Sequence, residues 1–311
     1  MKIAFVVDPL PKLKPYKDSS IAMMREAARR RHEVHALEAR ALAVRGGKVA
    51  AEASRLDVLE GDDPWFHAEG PREAPLASFD LVMMRKDPPF DQEYYYATLL
   101  LERAEAEGVR VVNSSRGLRD WNEKLAILRF PGLTPPTLVT SDMARVHAFI
   151  DEQRDVVVKK LDGMGGAMIF RVRADDVNRN VIVETITDWG ARTIMAQRFI
   201  AEIAQGDKRV LVVDGKPFPH CLARIPRPGE TRGNLAAGGT GVARPISARD
   251  RAIGEAVGAE LVKAGIVFAG LDVIGDYLTE INVTSPTCIV EIAEQTGKNA
   301  AIELMDALEG K

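Results

Sequence analysis

Two apolar runs near the carboxyl end constrain the fold of this chain most, because together they describe one β-hairpin. Residues 266–274 and 278–283 are rich in β-branched side chains and are separated by Gly275 and Asp276. A glycine followed by a polar residue between two such runs is typical of a tight turn that joins antiparallel strands. The chain therefore contains a rigid two-stranded element, and polar side chains on one of its faces are held at fixed separations.

The register of this hairpin decides which polar side chains face each other. With a three-residue loop, 275–277, Asp272 lies opposite Glu280. Asn282 shares the face of Glu280, because side chains alternate along a strand. A two-residue loop instead pairs Asp272 with Thr279 and turns Glu280 to the other face. We predict the three-residue loop.

Two carboxylates and an amide on one strand face indicate a metal site. Magnesium takes oxygen ligands in octahedral geometry and usually keeps waters and substrate phosphates, so two or three protein oxygens are the expected number. We predict that Asp272, Glu280 and Asn282 bind Mg²⁺, with Mn²⁺ as an alternative ion. The spacing is equally compatible with a solvated strand face that carries ordinary polar residues.

Composition excludes several classes of protein. A net charge of -3 and a sequence pI near 6.0 argue against bulk attraction to nucleic acid or to an anionic membrane. No apolar run approaches the roughly 20 residues that span a bilayer, and residues 1–9 are typical of a strand and a turn, not of a signal peptide. Cys221 and Cys288 give no disulfide framework. We expect a cytoplasmic protein with neither nucleic-acid nor membrane partners.

The first third of the chain alternates strand and helix, which is typical of a parallel sheet with helices packed against it. Ser19 or Ser20 is expected to cap a helix that ends at Arg31. A second helix is expected after Asp91, and residues 40–78 are expected to form a hairpin and a surface excursion. The predicted strands are 3–7, 33–37, 81–84 and 109–112.

A second unit begins near Asn122. Residues 156–172 contain a strand, a glycine-rich run and another strand, which describes a hairpin whose tip can lie over a ligand. Ser247, with Asp250 three residues later, resembles a capping box at the start of a helix. The other predicted strands are 193–199, 209–213 and 219–223, and the predicted helices are 141–152, 247–265 and 298–308.

The glycine-rich tip of that hairpin is suited to hold phosphate. Gly163, Gly165 and Gly166 lack a Cβ, so their N–H groups can approach phosphate oxygens. The run matches neither the P-loop pattern nor the dinucleotide-binding pattern, and by itself it is also typical of a tight turn. Lys159, on the strand before it, and Lys124 are candidate point charges for the same phosphates.

Two arginines on neighbouring predicted strands are candidates for one phosphate. Arg209 begins one strand and Arg224 ends the strand paired with it, so a hairpin either brings the guanidinium groups together or leaves a cross-strand surface pair. Bidentate guanidinium contacts suit a transferring phosphoryl group. The glycine-rich segment 225–241 is long, which is typical of a mobile lid. Arg85, at the carboxyl end of a strand, is a candidate for holding a substrate carboxylate, unless the prolines after it only break the chain.

Six strings along the chain resemble bacterial glutathione synthetases of the ATP-grasp superfamily, in the same order. The match is specific because the strings are long and span nearly the whole chain. They occupy residues 84–91, 161–166, 206–215, 221–226, 229–239 and 278–288. One position departs from the resemblance, since Lys160 stands where related sequences have proline. Strand alternation places Lys159 and Lys160 on opposite faces, and we predict that Lys159 points inward.

The resemblance implies an ATP-grasp fold of α/β and α+β class. A Rossmann-like parallel-sheet substrate domain is expected over residues 1–121 and an ATP-grasp domain over residues 122–311. The latter divides into a small lid subdomain, about 125–200, and a C-terminal subdomain, about 201–311, with ATP between their sheets. The residues expected at the phosphates, the adenine and the ribose of ATP are Lys124, Lys159, Gly163, Met164, Gly165, Gly166, Gln197, Arg198, Phe199, Ile200 and Asp207.

The same resemblance implies the other site roles. The phosphoryl group or an acyl phosphate is expected to be stabilised by Arg209, Arg224 and Asn234. Magnesium is expected on Asp272, Glu280 and Asn282. The peptide substrate is expected to contact Asp18, Arg85, Arg232, Ser285 and Thr287.

The implied activity is ATP-dependent ligation of γ-glutamylcysteine to glycine through an acyl phosphate. This route needs no protein nucleophile, which agrees with the lack of a recognisable Ser/His/Asp or Cys/His set. Two alternatives stay open: another carboxylate–amine ligase of the superfamily, such as a dipeptide ligase or a protein glutamate ligase, and a nucleotide-binding module without catalysis. The resemblance also suggests a homo-oligomer, either a dimer or a tetramer.

Overall fold

The structure, a computed structural model, describes residues 1–310 and arranges them in three β-sheets with eight α-helices. The mixed class expected from the sequence is confirmed. None of the helices within residues 1–310 is long and apolar enough to cross a membrane. Lys311, the last residue of the expected C-terminal subdomain, lies outside the described residues.

The first sheet is parallel at its centre. Its strands are β1 (Lys2–Val6), β2 (Glu33–Leu37), β3 (Leu42–Arg45), β4 (Lys48–Val58), β5 (Phe66–Ala68), β6 (Arg72–Pro75), β7 (Leu81–Met84) and β8 (Arg110–Val112), and its helices are α1 (Ser19–Arg29), α2 (Gln92–Ala106) and α3 (Ser115–Asp120). Strands β2, β1, β7 and β8 pair in parallel, which confirms the predicted strand and helix alternation. The central strands are buried almost throughout, as strands between two helical layers must be.

The cap of helix α1 lies one residue before the earlier of its two predicted positions. Asp18, and neither Ser19 nor Ser20, is the cap, because its carboxylate accepts hydrogen bonds from Ser20 N at 2.7 Å and Ile21 N at 3.2 Å. All three residues suit a cap, so local propensity does not distinguish them. The two serine hydroxyls instead accept hydrogen bonds from other elements, from Ile289 N and from Arg85 Nε.

The second sheet is antiparallel and carries the glycine-rich tip. It consists of β9 (Thr137–Thr140), β10 (Asp155–Lys160), β11 (Ile169–Arg173) and β12 (Ile194–Arg198), covered by α4 (Met143–Gln153) and α5 (Arg179–Thr187). Strands β10 and β11 pair as the predicted hairpin, so the glycines connect neighbouring strands. Valine and isoleucine side chains from both helices and the strands form a separate small core beneath them.

The third sheet is also antiparallel. It consists, in spatial order, of β15 (Thr240–Pro245), β14 (Lys216–Ile225), β13 (Asp207–Val213), β16 (Phe268–Ile274) and β17 (Tyr277–Asn282), with α6 (Ala248–Lys263), α7 (Ile289–Thr296) and α8 (Ala300–Glu309). The predicted capping box of α6 is confirmed, since Ser247 and Asp250 each accept a hydrogen bond from the other's backbone N–H.

The β16–β17 hairpin has a different turn from the predicted one but the predicted facing pair. Ile274 pairs with Tyr277, so the loop has two residues and the three-residue loop is wrong. A β-bulge then places Asp272 opposite Glu280, because Thr279 is an extra residue in β17. The bulge therefore restores the register that a two-residue loop alone would have shifted.

A side-chain amide links the first and third sheets, and both its nitrogen and its oxygen form hydrogen bonds. Asn113, just after β8, donates from Nδ2 to Phe268 O and Val283 O, both at 2.8 Å. Its Oδ1 accepts from Val267 N at 2.8 Å and Phe268 N at 3.0 Å. This side chain fixes the start of β16 and the residue after β17 relative to the first sheet.

Helix α6 packs close to the β13–β14 turn through a glycine, which gives a stability prediction. A Cβ at Gly258 would overlap the carbonyl oxygen of Gly215. We therefore expect Gly258→Ala to destabilise the protein by about 1–3 kcal/mol, although alanine is ordinarily the better helix former. Gly132→Ala is the control, because a Cβ there meets no atom within 4 Å. The measurement is the urea midpoint of unfolding, and equal midpoints for the two variants would contradict the prediction.

Candidate active site

A cavity of about 410 Å³ lies where the three sheets meet. The first sheet contributes Asp87 and Phe90 to its wall, the second contributes the glycine-rich loop, and the third contributes the face of β13, β14, β16 and β17. Every site residue predicted from the sequence lines this cavity except Asp18 and Arg85. The fold thus brings together side chains from strings that are far apart in the chain.

A buried charge network occupies the third-sheet side of the cavity. The strand register places Asp207 opposite Arg224 and, on the next pair of strands, Arg209 opposite Asp272. Arg209 donates to both Asp272 oxygens, from Nε at 2.6 Å and from Nη2 at 3.3 Å. Arg224 Nη2 lies 2.5 Å from Asp207 Oδ2 and 2.9 Å from Asp272 Oδ2. The two carboxylates therefore hold both guanidinium groups in fixed positions, and Asp272 binds both of them.

Burial and charge compete within this network. Burial raises the pKa of Asp272, but the guanidinium groups of Arg209 and Arg224 outweigh it and hold that pKa well below its usual range. Burial, with the charge of Asp272 added to it, raises the pKa of Asp207 to about 6, and the charge of Arg224 offsets only part of this rise. The Oδ1 atom of Asp207 is buried and accepts no hydrogen bond from the described residues. This oxygen is suited to a ligand that donates a hydrogen bond, such as a sugar hydroxyl.

Two lysines face the glycine-rich loop and the β16–β17 hairpin. Lys159 is buried, whereas its neighbour Lys160 is only partly buried. Lys159 donates from Nζ to Thr279 O at 3.2 Å, and burial lowers the pKa of this lysine. Lys124 Nζ donates to Gly163 O at 2.6 Å and lies 3.0 Å from Glu280 Oε1. Burial lowers the pKa of Lys124, but the Glu280 charge outweighs it and the pKa is raised. Lys124 therefore links the loop that is predicted to cover phosphates to the hairpin, and Lys159 is held at the hairpin.

The glycine-rich loop touches the long segment that follows β14. Arg232 donates from Nη1 to Gly166 O at 3.2 Å, and its Nη2 pairs with Glu230 at 2.6 Å. Gly166 has a φ of +83°, and a Cβ there would lie only 2.8 Å from Asn234 Oδ1. Residues 226–239 contain one short 3₁₀ turn and no strand. The two loops close over one side of the cavity, and this contact requires glycine at position 166.

The carboxyl end of β12 supplies another part of the wall, where the adenine was predicted to bind. It presents a polar and aromatic surface that neighbouring elements hold in place. Gln197 donates from Nε2 to Thr137 Oγ1 at 3.1 Å. The Phe199 ring lies under a guanidinium group, with Arg171 Cζ 3.6 Å from the ring centroid. Arg198 and Ile200 also line the cavity here.

Asp18 and Arg85 lie outside the cavity wall. Asp18 caps α1, as described above. Arg85 is buried and donates from Nε to Ser20 Oγ at 3.1 Å and from Nη2 to Pro286 O at 3.0 Å. Pro286 lies between Ser285 and Thr287, which do line the cavity, so Arg85 supports that part of the wall from behind. Direct contact of Asp18 or Arg85 with a substrate stays a prediction.

Asp87 and Glu123 are two of the acidic cavity-lining residues that sequence reasoning missed. The Ser285 hydroxyl donates a hydrogen bond to Asp87, which links the first sheet to the segment after β17. Glu123 binds that same segment. Neither residue lies in a periodic element, so periodicity gave no signal. The available signal was their position beside other predicted features, because Asp87 lies within the string 84–91 and Glu123 precedes Lys124.

The hairpin oxygens fit a hard cation that also binds a ligand phosphate. Asp272 and Glu280 lie opposite each other, and Asn282 is two residues further along the same face. The Asn282 amide donates from Nδ2 to Gly270 O at 3.0 Å, so its oxygen is left for another partner. No group of three or more His, Cys, Asp or Glu side chains within residues 1–310 could hold a metal alone. Two carboxylates and an amide match the small protein share of a magnesium site.

Comparisons with known proteins agree with this geometry. Residues 1–119 match the family "Prokaryotic glutathione synthetase, N-terminal domain", and residues 123–297 match "Prokaryotic glutathione synthetase, ATP-grasp domain". The chain belongs to the prokaryotic glutathione synthetase family. The resemblance predicted from the six strings is thereby confirmed.

Relatives in this family align with the chain from end to end. The glutathione synthetase of Nitrosomonas europaea is 57% identical over 312 residues, which is 99% of this chain and 98% of that protein. The glutathione synthetase of Escherichia coli O157:H7 is 50% identical over 311 residues, covering 100% of this chain and 99% of that protein. Family membership therefore covers both the parallel sheet and the two antiparallel sheets.

Solved structures with low identity share the fold. The D-cycloserine synthetase DcsG superposes with a TM-score of 0.69 at 16% identity, over 100% of this chain and 99% of that one. A RimK domain protein of the ATP-grasp type from Sphaerobacter thermophilus gives a TM-score of 0.64 at 19% identity, over the whole of both chains. The predicted ATP-grasp fold is confirmed.

Proposed function

We propose that the protein joins γ-glutamylcysteine to glycine with ATP, giving glutathione, ADP and phosphate. Membership of the family supports this reaction. The structural observation that supports it most is that two lysines and two arginines converge on the hairpin of the two carboxylates and the amide. The cysteinyl carboxylate attacks the γ-phosphate, ADP leaves, and an acyl phosphate forms. The glycine amine then attacks the acyl carbon and phosphate leaves. The protein's task is to position the substrates and stabilise charge, because neither step needs a protein nucleophile.

The nucleotide occupies the space between the second and third sheets. Lys124 and Lys159 bind its phosphates, and the loop of Gly163, Met164, Gly165 and Gly166 covers them. Residues 197–200 line the adenine pocket. Asp207 accepts a hydrogen bond from the ribose through the oxygen that has no donor of its own.

Asp272, Glu280 and Asn282 would hold Mg²⁺, with Mn²⁺ as the alternative. Magnesium bound there would neutralise phosphate charge. Arg209, Arg224 and Asn234 stabilise the transferring phosphoryl group and the acyl phosphate. The peptide contacts Ser285, Thr287 and Arg232, while Asp18 and Arg85 stay candidates for its γ-glutamyl end.

The division of the chain follows the same proposal. Residues 1–121 form the substrate domain, and residues 122–311 form the ATP-grasp domain, with a lid at about 125–200 and a C-terminal part at about 201–311. The three separate sheets support this division. We also propose a homo-oligomer that acts in the cytoplasm.

Phosphate release tests the reaction. Purified protein with ATP and Mg²⁺ receives γ-glutamylcysteine alone, glycine alone, or both. We expect release only when both are present, together with glutathione detected by mass. Release that is no greater with both substrates than with neither overturns the proposal. Release with D-alanine alone, but not with γ-glutamylcysteine and glycine, indicates a dipeptide ligase.

A further inference from the structure

Glu123 differs from the other buried and half-buried carboxylates of the cavity wall in having no basic partner. It is half-buried, and no Lys, Arg or His side chain within residues 1–310 forms an ion pair with it. Two wall carboxylates, Asp87 and Asp162, are exposed and need none. The remaining wall carboxylates each meet a cation: Asp207 with Arg224, Asp272 with Arg209 and Arg224, and Glu280 with Lys124. A half-buried carboxylate without a cation is costly unless a ligand supplies one.

The orientation of the Glu123 carboxylate is fixed through one of its oxygens. Oε1 accepts hydrogen bonds from Val283 N at 2.9 Å, Thr284 N at 3.1 Å and Thr284 Oγ1 at 2.8 Å. No described residue donates a hydrogen bond to Oε2, and that atom is not among the fully buried unpartnered ones. Burial, with the Glu280 charge added to it, raises the pKa of Glu123. One oxygen therefore anchors the wall and the other is open to a ligand.

The position of Glu123 indicates which reactant its free oxygen faces. Its backbone O accepts from Ile281 N at 2.9 Å, and its side chain holds the two residues after Asn282. The next residue, Lys124, pairs with Glu280. Glu123 therefore lies beside the hairpin where the acyl phosphate of the proposed reaction forms. The reactant that must approach this point with a positive charge is the amino-acid acceptor, which carries an ammonium group in solution.

We propose that Glu123 Oε2 binds the ammonium group of the incoming amino acid, accepts one of its protons and directs the resulting amine nitrogen towards the acyl carbon. As the C–N bond forms, the acyl C–O bond to phosphate breaks and the second proton leaves with the phosphate. This inference rests on the proposed function. The ligand class is a primary α-amino acid, represented by glycine. The dipeptide also carries an ammonium group, so the experiment must separate the two substrates.

The test compares a charged acceptor with a neutral one. Hydroxylamine is uncharged at pH 8 and attacks the acyl carbon with loss of phosphate, giving a hydroxamate that is measured by its iron complex. Glu123→Gln keeps an oxygen for the three anchoring hydrogen bonds but removes the charge. We expect the ratio of kcat/KM for glycine to that for hydroxylamine to fall roughly 10- to 100-fold, because a charge-assisted hydrogen bond is lost. Glu123→Asp, which keeps the charge, should restore part of the ratio.

Glu291→Gln is the matched control. Glu291 is a half-buried carboxylate on α7, it does not line the cavity, and its Oε2 also lacks a partner. This control should keep the wild-type ratio. The inference is overturned by an unchanged ratio in Glu123→Gln, by an equal fall in Glu291→Gln, or by a rise in KM for the dipeptide instead of glycine. If wild-type protein forms neither glutathione nor hydroxamate, the proposed function itself fails, which is a separate result.

Discussion

Replacing Asp272 by asparagine is expected to destabilise the protein by roughly 3–5 kcal/mol and to remove nearly all turnover. Asp272 is buried and neutralises Arg209 and Arg224, at 2.6 and 2.9 Å. An amide cannot balance two buried guanidinium groups, so their charges are left partly uncompensated. The same change removes one of the proposed magnesium ligands. Stability and activity are therefore lost together.

The control lies in the same hairpin. Asp276 occupies the exposed turn between β16 and β17, so Asp276→Asn removes an equal charge without touching the network. Its urea midpoint and its turnover should stay close to the wild-type values. Chemical denaturation measures the first quantity and phosphate release the second. A midpoint for Asp272→Asn within experimental error of that for Asp276→Asn would show that the network does not stabilise the fold.

The pH dependence of the Asp272 effect has a definite sign. The folded pKa of this carboxyl lies below its ordinary value of 3.8, so the group stabilises the fold above that pH. The stabilisation disappears only as the pH falls below 3.8 and through the folded pKa. The gap in unfolding free energy between wild type and Asp272→Asn should thus be constant from pH 7 to 8, above the pKa of about 6 of the neighbouring Asp207, and shrink as the pH falls below 3.8. A gap that changes between pH 7 and 8 would assign the effect to a group outside this network.

The β16–β17 hairpin marks the limit of what local sequence patterns could predict. The apolar runs and Gly275 were sufficient to predict two paired strands, and the facing pair of Asp272 and Glu280 is confirmed. The turn length was not predicted correctly, because the bulge at Thr279 compensates for the shorter loop. That bulge is supported by contacts from other parts of the chain and within the hairpin. Lys159 Nζ binds the Thr279 carbonyl at 3.2 Å, and the Thr279 hydroxyl binds Asp272 O at 3.1 Å.

Residues at the junction between sheets were harder to predict than residues within one hairpin. Arg85 ends a strand at the edge where ligands usually bind, yet its guanidinium is used by Ser20 and Pro286. Glu123 carries no local pattern, and its three hydrogen bonds are to residues about 160 positions later. Resemblance to a family was sufficient to predict the residues of the buried charge network. It was not sufficient to predict the hydrogen bonds of Arg85 and Glu123, because these depend on how the first and third sheets pack together.

Arg224→Ala is expected to lower kcat roughly 10²- to 10³-fold while KM for ATP stays close to the wild-type value. The Arg224 guanidinium pairs with both Asp207 and Asp272, whereas Arg209 pairs with Asp272. In the proposed reaction this fixed donor faces the charge that develops on the transferring phosphoryl group, so its loss should affect the transition state more than nucleotide binding. Lys124 and Lys159, the proposed phosphate ligands, are unchanged in this variant.

Two further variants distinguish charge from geometry at this position. Arg224→Lys keeps the positive charge but loses the planar fork, so its kcat should fall between those of the wild type and Arg224→Ala. Arg244→Ala, on the adjacent strand β15, removes an exposed arginine whose Nη1 donates to the Gln205 carbonyl at 3.3 Å, and it should leave kcat unchanged. Initial rates with ATP varied at saturating γ-glutamylcysteine and glycine separate kcat from KM. Unchanged turnover in Arg224→Ala would remove this residue from the phosphoryl-transfer site, whereas a rise in KM alone would limit it to binding the nucleotide.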